Sequence, residues 1–299
     1  MILFLVLGVL VVCFIGVWVF EARRARRRSA QGADSPLWPD AVQLLTGFGT
    51  NFLDALGIGN FATTTSIFKL RKIVPDELMP GTLNVGHTLP VVTEALIYVS
   101  IIEVNPATLI LIIAASVLGA WVGAPVVARW PRRTIQIGLG SALIGAAALM
   151  LMSQLGLMPI GGNALALGGV RLVISLFGSF WLGALMTLGL GFYAPCMIMV
   201  SMLGMNPTAA FPIMMGACAF LMPVAGIQFV RRERYSLRPA FGLTLGGIPG
   251  VLLAAFIVKS LPLGAIRWLV VCVVLYTSTM MLRSAYLERR KQARSAAGK

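Results

Sequence analysis

Leu53-Asp54-Ala55-Leu56-Gly57-Ile58-Gly59-Asn60-Phe61-Ala62-Thr63-Thr64-Thr65-Ser66 and Leu185-Met186-Thr187-Leu188-Gly189-Leu190-Gly191-Phe192-Tyr193-Ala194-Pro195-Cys196 each interrupt a long apolar run. Gly is costly inside a helix, and Pro removes a backbone donor. Each run (41–72 and 172–204) therefore reads as two half-helices meeting at a break. The two breaks also stand in one frame. At an offset of 132 residues Phe48 matches Phe180, Leu53 matches Leu185, and Gly57 and Gly59 match Gly189 and Gly191. Pro75 and Pro80 match Pro207 and Pro212 at the same offset. Gly119 and Pro131 match Gly250 and Pro262 at an offset of 131.

The rest of the chain says what surrounds those breaks. Of 299 residues, 58% are hydrophobic and 11% charged, against about 45–50% and about 25% in soluble domains. So few charges cannot cover a soluble fold of this size, and disorder needs low hydrophobicity. The fold class expected is all-α, a polytopic membrane protein. About 20 apolar residues cross a ~30 Å hydrocarbon core. Seven stretches meet that length: 2–20, 78–100, 107–128, 135–156, 209–230, 239–258 and 264–284. Met1 to Phe20 is apolar and is followed, not preceded, by the arginines of 23–28, so it reads as a retained helix rather than a cleaved signal.

The net charge of +14 is explained by loop arginines and lysines rather than by nucleic acid. If both broken runs return to the side they enter from, 21 of the 24 Lys and Arg fall on the cytoplasmic side. They comprise five in 23–28, three in 69–72, three in 129–133, four in 231–238 and six in 283–299. Arg171, Lys259 and Arg267 stay outside. If both runs cross, the split falls to 16 against 8. The positive-inside rule favours two re-entrant hairpins, with the N-terminus outside and the C-terminus in the cytoplasm. The expected organisation is an N-terminal helix and basic linker (1–40), repeat one with a hairpin and three spans (41–156), an external linker (157–171), an inverted repeat two (172–285) and a basic tail (286–299). An odd number of spans per repeat inverts the second.

A half-helix that begins inside the membrane presents unpaired N–H groups and about half a positive charge. An anion satisfies both, and broken helices facing each other from inverted repeats are typical of transporters. The substrate-binding residues expected are Gly57, Gly59, Asn60, Thr63 and Thr64 at the first break and Gly191, Tyr193, Ala194 and Cys196 at the second. Asn84 and His87 are added from the next span. Spacings 84–87 and 87–94 put Asn84, His87 and Glu94 along one helix face. Asp54 and Glu94 are the two acids expected deep in the membrane, where a carboxylate is expensive and usually functional. Either takes a proton or braces the hairpin. His87 either lines the site or packs as a neutral ring. Arg171 stands at the outer mouth, as an anion attractor or as a snorkelling anchor. One His and no C-x-x-C pair leave no metal site and no cofactor to expect. The expected partners are the lipid bilayer, a small anionic substrate and, as a candidate, a second copy in a homodimer, with no nucleic acid.

These motifs resemble the sulfite exporter TauE/SafE family. The residues that carry the resemblance are Gly47-Phe48-Gly49 through Leu56-Gly57-Ile58-Gly59-Asn60, Gly178 through Gly189-Leu190-Gly191-Phe192-Tyr193-Ala194-Pro195, and the segments Pro75 to Pro80 and Asn206-Pro207 to Pro212. It covers about residues 41–285. Where the family often has a third Gly at the break, Asn60 and Phe192 stand here. The resemblance implies a bacterial inner-membrane exporter of small sulfur-containing anions such as sulfite or sulfonates, sulfoacetate among them, or of other small organic anions. A channel of the same architecture, an intramembrane enzyme and a scaffold are the alternatives. One His and no nucleophile–base set speak against the enzyme.

Overall fold

A computed structural model describes residues 2–29, 38–56, 58–99, 104–157, 161–206 and 209–257, with scattered residues between 272 and 287. Among them the chain is all-α. Its helices are α1 (Ile2–Ser29), α2 (Ala41–Ala55), α3 (Asn60–Arg71), α4 (Met79–Gly86), α5 (Thr88–Tyr98), α6 (Pro106–Val127), α7 (Arg132–Gln154), α8 (Gly169–Met186), α9 (Tyr193–Met202), α10 (Ala210–Arg231) and α11 (Leu237–Ile257). Six of them, α1, α6, α7, α8, α10 and α11, are long and apolar enough to cross a membrane. The chain is a polytopic membrane protein. The expected span 264–284 lies largely outside the described residues, as does the tail from 288.

The local signals act where they stand. Asp40 caps α2 with a capping box: its Oδ1 accepts from Gln43 N at 2.8 Å and Gln43 Oε1 accepts from Asp40 N at 3.2 Å. Asn105 caps α6, with Pro106 at the first helical position. α2, α3 and α9 have 15, 12 and 10 residues, short of the ~20 that cross hydrocarbon. α8, with 18 residues, is longer than a half-helix needs and reaches spanning length. Gly59 (φ 88°) opens the first break and Gly189 (φ 122°) the second. Both angles lie where an L side chain is strained.

The expected single span 78–100 is instead two helices in line, kinked at His87. Pro90 is the cause. It has no N–H to give to the Gly86 carbonyl, and Thr244 Oγ1 of α11 donates to that carbonyl instead, at 2.8 Å.

α10 lies at the centre: 83% of its apolar window is buried, against 17–56% for the other five long helices. Around it the two broken elements are seated crosswise. α2 packs on α11, and α8 packs on α6. Both contacts run backbone against backbone. A Cβ at Gly250 would strike the Phe48 carbonyl, and a Cβ at Gly119 would strike the Phe180 carbonyl. Gly183 is held against the Ser116 carbonyl in the same way, and Gly247 against the Asn51 side chain. Small residues are what allow helices in lipid to approach so closely.

Candidate functional site

The first break is built from α2, α3 and the α4–α5 kink. Asn51, Thr64 and His87 are fully buried. His87 Nδ1 lies 2.9 Å from Asn51 Oδ1, and His87 Nε2 lies 3.0 Å from Thr64 Oγ1. An amide oxygen only accepts, so Nδ1 carries the proton, and neutral Nε2 accepts from the threonine hydroxyl. One imidazole thus bridges α2 to α3. A straight helix would hold positions 51 and 64 about 20 Å apart, so α3 doubles back on α2. Asn51 Oδ1 also accepts from Asn60 Nδ2 at 3.1 Å, and Asn51 Nδ2 donates to the Gly47 carbonyl at 2.8 Å.

The fold-back aims the start of α3 inward. Gly59, its N-cap residue, has no side chain to cap it. The Asn60 N–H donates instead to Asp54 Oδ1 at 3.1 Å. Asp54 in turn interacts side chain to side chain with Glu94 of α5. Glu94 is buried, and its Oε1 has no hydrogen-bond partner among the described residues. Beside it, the Tyr98 hydroxyl donates to the Ala55 carbonyl at 2.9 Å, closing the end of α2.

A small cavity of about 40 Å³, room for a few water molecules, joins this break to the second one. From the first break Asp54, Gly59, Asn60 and Phe61 line it, and from the second Gly191 and Phe192. Glu94 lies on its wall, and Met186, Met214, Met215 and Cys218 form a sulfur-rich side. Cys218 Sγ is 3.6 Å from Met186 Sδ. Among the described residues, no Lys, Arg or His lines it. Positive potential there comes from the starts of α3 and α9, which lack side-chain caps of their own. A Cβ added at Gly59 or Gly191 would meet nothing within 4 Å.

Of the residues expected to bind substrate, the structure brings Gly59, Asn60 and Gly191 to this cavity, with Asp54 and Glu94. Thr63 bonds back to its own helix, through the Gly59 and Asn60 carbonyls. Thr64 and His87 are joined to each other behind the cavity wall. Asn84 donates to the Pro80 carbonyl at 2.8 Å and to the Thr187 carbonyl of the second break at 3.2 Å. Its Oδ1 is buried without a partner among the described residues. Cys196 is buried in α9, off the lining. Gly57 lies outside the described residues, as do the side chains of Tyr193 and Ala194. Arg171 is exposed, with Nη1 3.5 Å from the Leu203 carbonyl just after α9. The shared helix face expected for Asn84, His87 and Glu94 is divided by the kink. The residues that sequence reasoning missed are Phe61, Val91, Phe192, Met186, Met214, Met215 and Cys218. Nothing in the spacing of the methionines distinguishes packing from lining.

Away from the cavity, the far end of α3 is tied down by charge. Lys69 Nζ donates to both oxygens of buried Asp76 at 2.7 and 2.6 Å, and Gln136 Nε2 of α7 donates to Oδ2 at 2.8 Å. Opposite ends of α3 therefore meet different chemistry: an ion-paired anchor at one and the cavity at the other.

A search of characterised proteins and a search of solved structures each return no match. The family model "Sulfite exporter TauE/SafE" matches residues 1–150, half of the chain. That stretch contains the first break, His87, Glu94 and the whole of α1 to α6, and on that match the chain belongs to the sulfite exporter TauE/SafE family.

Proposed function

We propose that this protein exports small sulfur-containing or organic anions, such as sulfite or sulfonates including sulfoacetate, from the cytoplasm, and that it is a carrier rather than an enzyme. The anion sits between the half-helix N-termini, at Gly59 and Asn60 on one side and Gly191 and the start of α9 on the other. The observation that carries this reading is the cavity lined by both breaks. Among the described lining residues, its positive potential is that of the starts of α3 and α9, which suits an anion.

The two halves, 41–156 and 172–285, are inverted repeats whose broken elements are re-entrant hairpins. Support comes from the crosswise seating. Gly119 against Phe180 and Gly250 against Phe48 exchange partners under the sequence offset, as contacts related by a twofold must. Alternating access then comes from rocking one half against the other about the cavity. The chain lies in a bacterial inner membrane with its N-terminus outside. There, an anion leaving a negative interior gains about 2.3 kcal/mol per unit charge per 100 mV. Asn84, His87, Thr63, Thr64 and Cys196 support the two breaks from behind, and Arg171 stands at the outer mouth.

The test is sulfite and sulfoacetate efflux from proteoliposomes at set membrane potentials. Saturable efflux that rises with an inside-negative potential is expected. Unitary currents would assign a channel instead, and absence of any anion flux would overturn the reading.

A further inference from the structure

We propose that Asp54 is the resident anion of the empty site, and that a substrate anion takes its place on α3 only when the Asp54–Glu94 pair takes up a proton. The inference rests on reading the cavity as an anion site. It follows from a tension in that site: a pocket suited to an anion also holds two carboxyl groups and, among the described lining residues, no cationic side chain.

The geometry shows how the tension is resolved. Asp54 Oδ1 accepts the Asn60 N–H at 3.1 Å, the position at which a bound anion would take its first backbone hydrogen bond. Glu94 faces Asp54 from α5 and keeps one carboxyl oxygen buried and unpartnered on the same cavity. Two facing carboxyls at that depth do not both ionise, so the empty pair shares one proton and carries one negative charge. Two helix starts offer about half a positive charge each, which balances that one charge. A substrate anion added to an unchanged pair would leave the cavity with two negative charges against the same dipoles. Uptake of a second proton restores the balance. It turns the pair into two neutral acids, and it frees the Asn60 N–H.

Other titratable groups do not account for this charge change. From α5, Tyr98 is engaged with the Ala55 carbonyl. His87, at the kink, has both ring nitrogens bonded to Asn51 and Thr64. Cys218 of α10 and Cys196 of α9 are thiols, neutral over the acid range. α3 brings only Lys69 and Arg71, at its far end, and α11 only Arg238, at its start.

Linkage sets the sign. An anion that binds with a proton binds at full affinity below the pH at which the empty pair takes its second proton, and loses up to tenfold per pH unit above it. The experiment is calorimetric titration of the purified full chain with methanesulfonate, whose charge is constant from pH 5 to 9. Buffers of different ionisation heat count the protons, and sulfite and sulfoacetate serve as parallel probes. One proton taken up per anion is expected, with affinity falling as pH rises. Asp54→Asn is expected to abolish both the uptake and the pH dependence. Binding of equal strength at every pH without proton uptake, or uptake that survives Asp54→Asn, overturns the inference and leaves the anion site standing. No binding of any of the three anions at any pH overturns the site itself. Should Asp54→Asn fail to fold, the proton count on the unaltered protein decides alone.

Discussion

Thr64 Oγ1 and His87 Nε2 lie 3.0 Å apart in a fully buried contact between residues 23 positions apart in sequence. With the second ring nitrogen on Asn51, His87 holds the two arms of the first broken element together. His87→Ala removes the ring that Thr64 Oγ1 bonds, at about 1–3 kcal/mol for the orphaned hydroxyl, while Asn51 keeps Asn60 and Gly47. Chemical unfolding in mixed micelles should show that loss, and transport should fall with it. A His87→Ala protein of unchanged stability and weakened anion binding would instead assign the ring to the substrate.

The glycines of the crosswise seats differ sharply from those that face open space. Gly119→Ala and Gly250→Ala each drive a methyl group into a carbonyl of the neighbouring helix, and both should lower folded yield severely. Gly49, also helical, meets nothing within 4 Å. Gly49→Ala should therefore be neutral or stabilising by up to about 1 kcal/mol, the ordinary helix preference. Folded yield by size-exclusion chromatography separates the two groups.

Within the second break, two glycines separate function from folding. Gly191 has no strained φ and no neighbour for a Cβ. Gly191→Ala places its methyl in the cavity, so anion affinity should drop while the melting temperature holds. Gly189 has φ 122° and a Leu139 methyl 2.6 Å from the ideal Cβ. Gly189→Ala should lower stability by about 1–3 kcal/mol through backbone strain, with Leu139 adding to the loss. Thermal melts beside binding isotherms read both.

Asp76 and Lys69 form a buried ion pair, with 4% and 13% of their side-chain surface exposed. Removing Asp76 strands Lys69, which costs about 3–5 kcal/mol, whereas Asp76 without Lys69 keeps the Gln136 amide and the Arg132 guanidinium at 3.8 Å. Asp76→Asn should destabilise on that scale, Lys69→Met by less, and the double variant by less than their sum. A double-mutant cycle measures the difference, and strict additivity would show that the pair contributes nothing.

The breaks were readable because glycine and proline inside an apolar run have few physical uses. Gly57 to Asn60 and Gly189 to Pro195 therefore marked where the helices end. The membrane class followed from composition. The kink at His87 was not readable, because its cause is shared between Pro90 and Thr244, more than 150 residues apart. That kink separates His87 and Asn84, which brace the breaks, from Glu94, which lines the cavity. The position of Asp54 on the Asn60 amide was also hidden. Proximity to a break suggested its importance but not which backbone group it would meet. Nor could spacing say that Met214 and Met215 face a void, since apolar lining and apolar packing use the same residues.

The seating of α2 on α11 has a consequence in time. Some 180 residues separate the end of α2 from the start of α11, and at about 5–20 residues per second their synthesis takes roughly 10–40 s. For that interval the glycine-indented surface that α11 presents to α2 does not yet exist, and α2 is too short to stand across the lipid by itself. The nascent protein must shelter an unfinished element until its final third emerges, so its assembly depends on whatever attends the chain at the membrane during synthesis.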